Sequence, residues 1–184
     1  TLILALKGSV CLYQGEELGL TEAVLDLKDL QDPYGIQFWP TFKGRDGCRT
    51  PMVWSQKEHG AGFSSDKPWL PVPPEHLHLA VSMQEQPGSL LSHYRHMLDF
   101  RAENPELAKG DIRFLEARDG VLVFERTLPG SSILVAINMS GNPASLPLAG
   151  KEYRPLDNMN AGSRFENGTL HLPAYASWFA RKGT

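Results

Sequence analysis

The pattern of apolar and polar positions predicts a short helix and then a buried strand at the start of the chain. Residues 1–7 read as the last turns of an amphipathic helix, and residues 10–13 form an apolar run without alternation. Such a run is typical of a strand buried on both faces, as in a parallel sheet. Polar residues 14–17 follow, at the strand end where barrels and doubly wound sheets bind their ligands.

Residues 18–74 contain no long periodic segment, and glycine and proline residues throughout them predict repeated turns. The same stretch is rich in large aromatic side chains, which argues against disorder. Loops longer than ~12–15 residues inside a compact domain are usually functional or disordered. We therefore predict an ordered, functional loop, whose aromatic residues are Phe38, Trp39, Phe42, Trp54, Phe63 and Trp69.

The clearest helix is predicted to open at Pro87, because proline suits the first helical position, and to stop at Asn104-Pro105. Its apolar residues recur at helical spacing and predict one stripe that faces a core. The members of this stripe are Leu90, Leu91, Tyr94, Met97 and Leu98.

From Gly110 onward the period changes to that of β-strands. Asp119-Gly120 and Pro129-Gly130 separate the first three runs and are hairpin signals. Short strands without a helix predict a small antiparallel β-sandwich, with Trp178 and Phe179 in its core. We thus predict two parts, residues 1–109 and 110–184. The predicted strands are 112–117, 121–127, 132–138, 145–148, 152–156, 169–172 and 176–180.

Composition narrows the class of partner. The 184 residues include 18 Lys and Arg against 21 Asp and Glu, a net charge of −3, so we expect no nucleic acid and no acidic membrane surface as a partner. No apolar run reaches the ~18–20 residues of a membrane helix. Cys11 and Cys48 are too few for a disulfide-stapled scaffold. We favour two free thiols over a bridge between them.

The sequence carries few signals for metal or cofactor chemistry. It has no G-x-S-x-G elbow, no dinucleotide fingerprint and no P-loop. His93 and His96 lie three apart without the glutamate of the zinc-protease pattern, and we expect neither a metal nor a cofactor. Glu16 and Glu17 are adjacent, so their side chains diverge. We interpret them as a hydrogen-bonding cluster rather than a catalytic pair.

Arg45 and Arg49 lie four residues apart in the predicted loop, beside Asp46. A guanidinium group presents up to five donors in a planar fork, which suits a carboxylate or neighbouring sugar hydroxyls. Aromatic faces in the same loop suit the apolar side of a pyranose. The alternative is that each arginine pins the loop by binding a nearby carboxylate, and the residues alone leave both readings open.

Two motifs resemble glycoside hydrolase family 13. The run GSVCLYQGEELG at residues 8–19 is similar to that family's eighth barrel strand, although Val10 stands where proline is commoner. The run GRDGCRTPMVW at residues 44–54 resembles a loop of the oligo-1,6-glucosidase and α-glucosidase branch. Residues 89–105 are similar to the last barrel helix. The resemblance covers essentially the whole chain.

The resemblance implies the C-terminal end of a (β/α)8 TIM barrel followed by an antiparallel β-sandwich domain. Residues 1–109 would supply the last strand, a long βα loop and the last helix, and the chain would be a C-terminal fragment. It also implies a retaining α-glucosidase whose Asp nucleophile, Glu acid/base and second Asp lie upstream of position 1. We therefore assign no catalytic role to Glu16, Glu17 or Asp46. We expect residues 1–109 to need the rest of the barrel to be ordered.

Carried over residue by residue, the resemblance makes Arg45 the arginine that binds a glucose hydroxyl in the −1 subsite and pairs with an upstream Asp. Glu22 falls in the loop that borders the +1 subsite. Arg49 is expected to be structural more often than ligand-binding. The implied substrates are short maltose-like or sucrose-like oligosaccharides.

Two alternatives remain open at this point. One is a sucrose isomerase or transglucosidase of the same family. The other is a stand-alone carbohydrate-binding or interaction module built on residues 110–184. For the α-glucosidase interpretation, the expected partners are an oligosaccharide and the missing barrel portion of the same protein. The expected location is the cytoplasm.

Overall fold

The computed structural model describes residues 1–148, 152–156, 160 and 162–182. They form two compact units, one comprising Thr1–Val10 with His96–Thr184 and the other Cys11–Arg95. We call the first the β unit and the second the loop unit.

The β unit is built from antiparallel strands, as predicted. Among the described residues, β1, β2, β3, β8 and β5 form one sheet in that order, and β4, β7 and β6 form a second. The segment of β6 was not predicted as a strand. The strands are β1 Asp111–Arg118, β2 Val121–Leu128, β3 Ser131–Asn138, β4 Ala144–Pro147, β5 Tyr153–Pro155, β6 Arg164–Glu166, β7 Thr169–Leu172 and β8 Ser177–Lys182.

The predicted hairpins are confirmed. Asp119 and Gly120 connect β1 to β2 with φ angles of 52° and 78°, the double left-handed conformation of a tight hairpin turn. Pro129 and Gly130 connect β2 to β3, where Leu128 pairs with Ser131. The register of β1 against β2 shifts between Phe114 and Glu116, which marks a β-bulge.

Side-chain alternation along the strands divides the core of the β unit into two clusters. Leu134 and Ala136 of β3 pack into the cluster between the two sheets, whereas Ile133 and Val135 pack into the cluster on the opposite face. Trp178 and Phe179 are adjacent and fully buried, one in each cluster. Their predicted core positions are confirmed.

Helices α1 (Leu2–Ala5), α3 (Leu90–Glu103) and α4 (Pro105–Lys109) complete the β unit, although α3 begins within the loop unit. Two arginines hold the first residues of the chain. The Arg126 guanidinium donates to the carbonyls of Ala5 and Gly110, and Arg101 donates to those of Leu6 and Gly8.

The predicted helix at residues 87–104 is confirmed in its body and corrected at its start. Helix α3 begins at Leu90, because the hydroxyl of Ser89 accepts the Ser92 N–H and caps the helix. The predicted apolar stripe is narrower than expected. Leu91 and Met97 are buried, whereas Leu90 and Leu98 are 41% and 43% exposed.

The loop unit has little regular structure beyond α2 (Pro33–Gln37). The strand predicted at residues 10–13 is not formed among the described residues, because a strand needs a hydrogen-bonded neighbouring strand and no described strand pairs with these four residues. Two small apolar clusters, one around Leu18 and Val53 and one around Leu25 and Leu70, lie between the turns. The 3₁₀ helices are Glu16–Leu18, Leu27–Asp29, Asp46–Cys48, His59–Gly62, Pro74–Leu79 and Val81–Met83.

Candidate functional site

Arg45 immediately precedes the 3₁₀ helix Asp46–Cys48, and its side chain is 64% exposed. Its backbone N–H and its Nε atom donate to Oδ2 of buried Asp32 at 3.1 and 3.4 Å. The terminal Nη atoms have no partner among the described residues. The structure thus contains the contact with a nearby carboxylate that was one of the two alternatives from the sequence. This contact uses Nε of the guanidinium group and leaves both Nη atoms available.

Asp32 holds Arg45 as an ionised carboxylate. Burial by itself raises the pKa of Asp32, but donors from the backbone of Tyr34 and Arg45 and from the Arg45 guanidinium together lower it. Asp32 also caps α2 through Tyr34 N–H at 3.1 Å. Sequence reasoning missed this residue. The Asp32-Pro33 pair could have predicted its role, because Asp followed by Pro is typical of an N-cap residue and a proline in the first helical turn.

Asp46 fixes the position of Asp32. Its Oδ2 accepts the backbone N–H groups of Gln31 and Asp32 at 2.6 and 2.7 Å. Its side chain is fully buried, and Oδ1 has no hydrogen-bond partner within residues 1–148 or the other described positions. Asp46 therefore organises the backbone around the ion pair.

Glu22 lies beside the same turn. The N–H of Ala23 donates to the carbonyl of Gly47 at 2.9 Å. A Cβ on Gly47 would lie 2.5 Å from the Ala23 carbonyl and 2.8 Å from Glu22 Cγ, so only glycine permits this approach. The structure consequently brings the segment that carries Glu22 against the turn that follows Arg45.

A cavity of about 120 Å³ adjoins this turn. The predicted residue Glu22 lines it, whereas Arg45 and Arg49 do not. His76 lies at its wall and is 1% exposed, and neither ring nitrogen has a partner in the described part of the chain. Nothing in the sequence pattern distinguished His76. The polar lining comprises Tyr13, Gln14, Glu16, Thr21, Glu22, Thr50 and His76.

Arg49 contacts this arrangement through its backbone. Its backbone N–H donates to the Asp46 carbonyl at 2.9 Å and closes the 3₁₀ turn. Its side chain is exposed, and its guanidinium group forms no hydrogen bond or ion pair with a described residue. The structure therefore gives Arg49 a backbone contact alone.

Glu16 and Glu17 form the local hydrogen-bonding cluster that the sequence indicated. Glu16 Oε2 accepts the Tyr13 N–H at 3.0 Å, and Glu17 Oε2 accepts the Gly15 N–H at 2.8 Å. Tyr94 donates its hydroxyl to Glu16 Oε1 at 2.8 Å. Burial, that hydrogen bond and the negative charges of Glu16 and Glu17 raise the pKa of Tyr94 to about 12, so the phenol stays a donor.

The described residues offer no metal site: no three His, Cys, Asp or Glu side chains converge as ligands would. Cys11 and Cys48 are free and exposed. Within the same residues, none of the helices has the length and apolar character needed to cross a membrane.

Family models match both parts of the chain. Residues 1–110 match "Alpha amylase, catalytic domain", and residues 112–178 match "Maltogenic Amylase, C-terminal domain". The two matches meet near residue 110, where the β-strands begin.

Curated relatives are glucosidases. A probable alpha-glucosidase of Rhizobium meliloti is 50% identical over 98% of this chain, which covers 33% of that protein. An oligo-1,6-glucosidase of Halalkalibacterium halodurans is 31% identical over 77% of this chain and 28% of its own length. The chain thus spans about a third of the length of these relatives.

Solved structures agree with the fold. The alpha-glucosyl transfer enzyme XgtA matches 99% of this chain with a TM-score of 0.88 and 45% identity, over 34% of its own length. The trehalulose synthase MutB from Pseudomonas mesoacidophila matches 99% with a TM-score of 0.81 and 26% identity, over 37% of its length. The predicted resemblance and fold class are confirmed, and the chain belongs to the alpha-amylase family, with the end of its catalytic domain followed by an antiparallel C-terminal domain.

Proposed function

We propose that this chain is the C-terminal third of a retaining α-glucosidase that releases terminal glucose from short maltose-like or sucrose-like oligosaccharides. The supporting observation is the turn after Arg45, whose Gly47 contacts the segment of Glu22 beside a polar cavity, while the Arg45 guanidinium group uses only Nε to bind Asp32. The names and lengths of the relatives support the same proposal.

Arg45 is the residue that we propose contacts glucose. Asp32 holds Nε and the backbone N–H, so the two Nη groups project from a fixed base and can donate to sugar hydroxyls. Because the guanidinium is already oriented, less side-chain entropy is lost when the sugar binds. This arrangement suits recognition of one hydroxyl pair in the −1 subsite.

Glu22 has a complementary role in the proposal. Its carboxylate is exposed and can only accept hydrogen bonds when ionised, so it suits the hydroxyls of a leaving or acceptor sugar at the +1 subsite. Arg49 is proposed to be structural, since its backbone closes the turn.

The chemistry itself requires two carboxyl groups about 5–5.5 Å apart, one as nucleophile and one as acid and then base, and a covalent glucosyl-enzyme between the two steps. We propose that these groups lie in the upstream part of the barrel. The present chain then supplies one wall of the pocket and no catalytic group, and residues 1–109 complete the barrel with that upstream portion.

The test compares the full-length protein with the 184-residue chain, both assayed with maltose, sucrose and 4-nitrophenyl α-glucoside. We expect hydrolysis by the full-length protein and none by the chain alone. The intact mass of the native protein, detected with an antibody against residues 55–67, should exceed twice 20.4 kDa, because a barrel takes ~250 residues. A native mass near 20.4 kDa would contradict the proposal.

A transglucosidase or sucrose isomerase is a second candidate, favoured by the structural similarity to an alpha-glucosyl transfer enzyme and a trehalulose synthase. Hydrolysis and transfer share the glucosyl-enzyme and differ in the acceptor that attacks it. Product analysis with sucrose separates them: free glucose and fructose indicate hydrolysis, and an isomeric disaccharide indicates transfer.

A stand-alone carbohydrate-binding module is the remaining candidate. Its support is weaker, because Phe114 and Tyr175 are the exposed large aromatic residues in the described part of the β unit. Titration of the 184-residue chain with maltooligosaccharides should show no binding. For the whole enzyme we propose a cytoplasmic location, which the two exposed free thiols of this chain suit and cell fractionation would test.

A further inference from the structure

We propose that Glu16 is a positioning residue, which couples the first turns of α3 to the Arg45 turn through Tyr13. This inference rests on the proposed function, since it assigns a role toward the arginine that would bind glucose. It concerns five residues of the loop unit, which neither the motifs nor the comparisons connect: Tyr94, Glu16, Tyr13, Cys48 and Arg45.

The first step of the coupling is the link from α3 to Glu16. Tyr94 lies in the second turn of α3 and donates its hydroxyl to Glu16 Oε1 at 2.8 Å. Both side chains are partly buried. A hydrogen bond to an ionised acceptor is about twice as strong as a neutral one, so this contact fixes the carboxylate rather than leaving it to solvent.

The second step runs from Glu16 to the backbone of Tyr13. The other carboxylate oxygen, Oε2, accepts the Tyr13 N–H at 3.0 Å, and the Glu16 N–H donates to the Tyr13 carbonyl at 3.1 Å. Both backbone polar groups of Tyr13 are therefore hydrogen-bonded to Glu16. Tyr13 is 55% exposed and belongs to none of the apolar clusters of the described residues, so hydrogen bonds are the contacts that hold it in the proposed coupling.

The third step reaches the Arg45 turn. The Tyr13 hydroxyl donates to the Cys48 carbonyl at 2.9 Å, and the Cys48 N–H donates to the Arg45 carbonyl at 3.1 Å. The turn is thus fixed at its far end by Tyr13 and at its near end by Asp32. With the guanidinium exposed, these two anchors decide where its Nη atoms point.

The variants for the test are Tyr13→Phe, Tyr94→Phe and Glu16→Gln in the full-length protein. The first two each delete one hydroxyl, and the third preserves the shape of Glu16 but offers a second donor where an acceptor is needed. Glu17→Gln is the matched control, because Glu17 adjoins Glu16 and its side chain, among the described residues, accepts the Gly15 N–H alone.

We expect each of the three variants to lower kcat/KM about 2- to 10-fold, the effect of one lost hydrogen bond, and Glu17→Gln to change it less than 2-fold. In an Arg45→Ala background the three losses should disappear, because the positioned group is gone. A purely structural role predicts the opposite, the same loss in both backgrounds, and that result would overturn the proposal.

Hydrogen exchange separates this proposal from the proposed function. Tyr13→Phe should accelerate exchange of the amides of residues 46–50 in the full-length protein, and Glu17→Gln should not. If the protein lacks glucosidase activity but the amides respond, the coupling stands and the assigned reaction fails. If the protein is active and the amides do not respond, the coupling is wrong.

Discussion

The β unit and the loop unit are each stabilised internally by a different kind of interaction. In the β unit, antiparallel strands place Trp178 and Phe179 in two apolar clusters, and the backbones of neighbouring strands pair within the sheets. In the loop unit, buried polar side chains such as Asp32, Asp46 and Gln84 bind backbone groups of distant turns. The apolar clusters there are small.

The two units also differ in what they expose. Most of the exposed large hydrophobic residues among the described positions lie in the loop unit, including Trp54, Phe63 and Trp69. An apolar residue that is left in water contributes nothing to folding by burial. The comparison teaches that burial stabilises the β unit, whereas a hydrogen-bonded framework shapes the loop unit, and this framework is what orients Arg45.

The largest expected effect on the free energy of unfolding comes from a buried tryptophan, and an exposed tryptophan serves as its comparison. Trp178→Ala should lower the free energy of unfolding by about 3–5 kcal/mol, because it empties a fully buried site. Trp69→Ala should change it by less than about 0.5 kcal/mol, since Trp69 is 70% exposed. Urea unfolding of the full-length protein, followed by circular dichroism, measures both. Equal losses would remove the distinction between the units.

The next effect concerns a buried charge in the β unit. Arg181 donates to Glu106, whose side chain is 4% exposed. Glu106→Gln should destabilise the chain by about 2–4 kcal/mol, because the guanidinium then lacks its counter-charge. Asp26→Asn is the control, since Asp26 pairs with Lys28 in open solvent. A loss as small as that of the control would contradict this assignment.

The ion pair between Arg181 and Glu106 also makes the free energy of unfolding depend on pH, and the direction of this dependence follows from the pKa of Glu106. Burial by itself raises the pKa of Glu106, but the hydrogen bonds, chiefly that from Arg181, lower it below its ordinary value of 4.5. The stabilisation is therefore present above about pH 4.5 and is lost as pH falls through the lower folded value. Between pH 7 and pH 3 the wild-type chain should lose more stability than Glu106→Gln does.

The smallest effect is confined to the loop unit. Gln84 Nε2 donates to the carbonyls of Leu18 and Leu79 at 2.9 Å, and its Oε1 accepts the Leu91 N–H at 3.3 Å. Gln84→Ala should lower local stability by about 1–3 kcal/mol, seen as faster amide exchange at residues 16–20 and 89–92 of the full-length protein. Gln86→Ala, which removes one exposed bond, is the control. Unchanged exchange in Gln84→Ala would argue against a hydrogen-bonded framework.

The sequence predicted those features that local pattern determines. Helical spacing located α3, and Asp119-Gly120 located a hairpin, because both signals act within a few residues. The strand predicted at residues 10–13 is absent from the described residues, because pairing depends on a neighbouring strand that the run itself does not specify. The Asp32–Arg45 pair was missed because a loop contact across 13 positions has no periodicity to reveal it.

The most direct test of the account measures kcat/KM of the full-length protein after Arg45→Ala. Arg113→Ala is the control: its side chain is 65% exposed, against 64% for Arg45, and it pairs with Glu125 in the β unit as Arg45 pairs with Asp32. We predict a fall of roughly 10- to 150-fold for Arg45→Ala, the loss of one charge-assisted hydrogen bond at ~1.5–3 kcal/mol, and no change for Arg113→Ala. An unchanged kcat/KM for Arg45→Ala, or equal falls for both variants, would contradict the account.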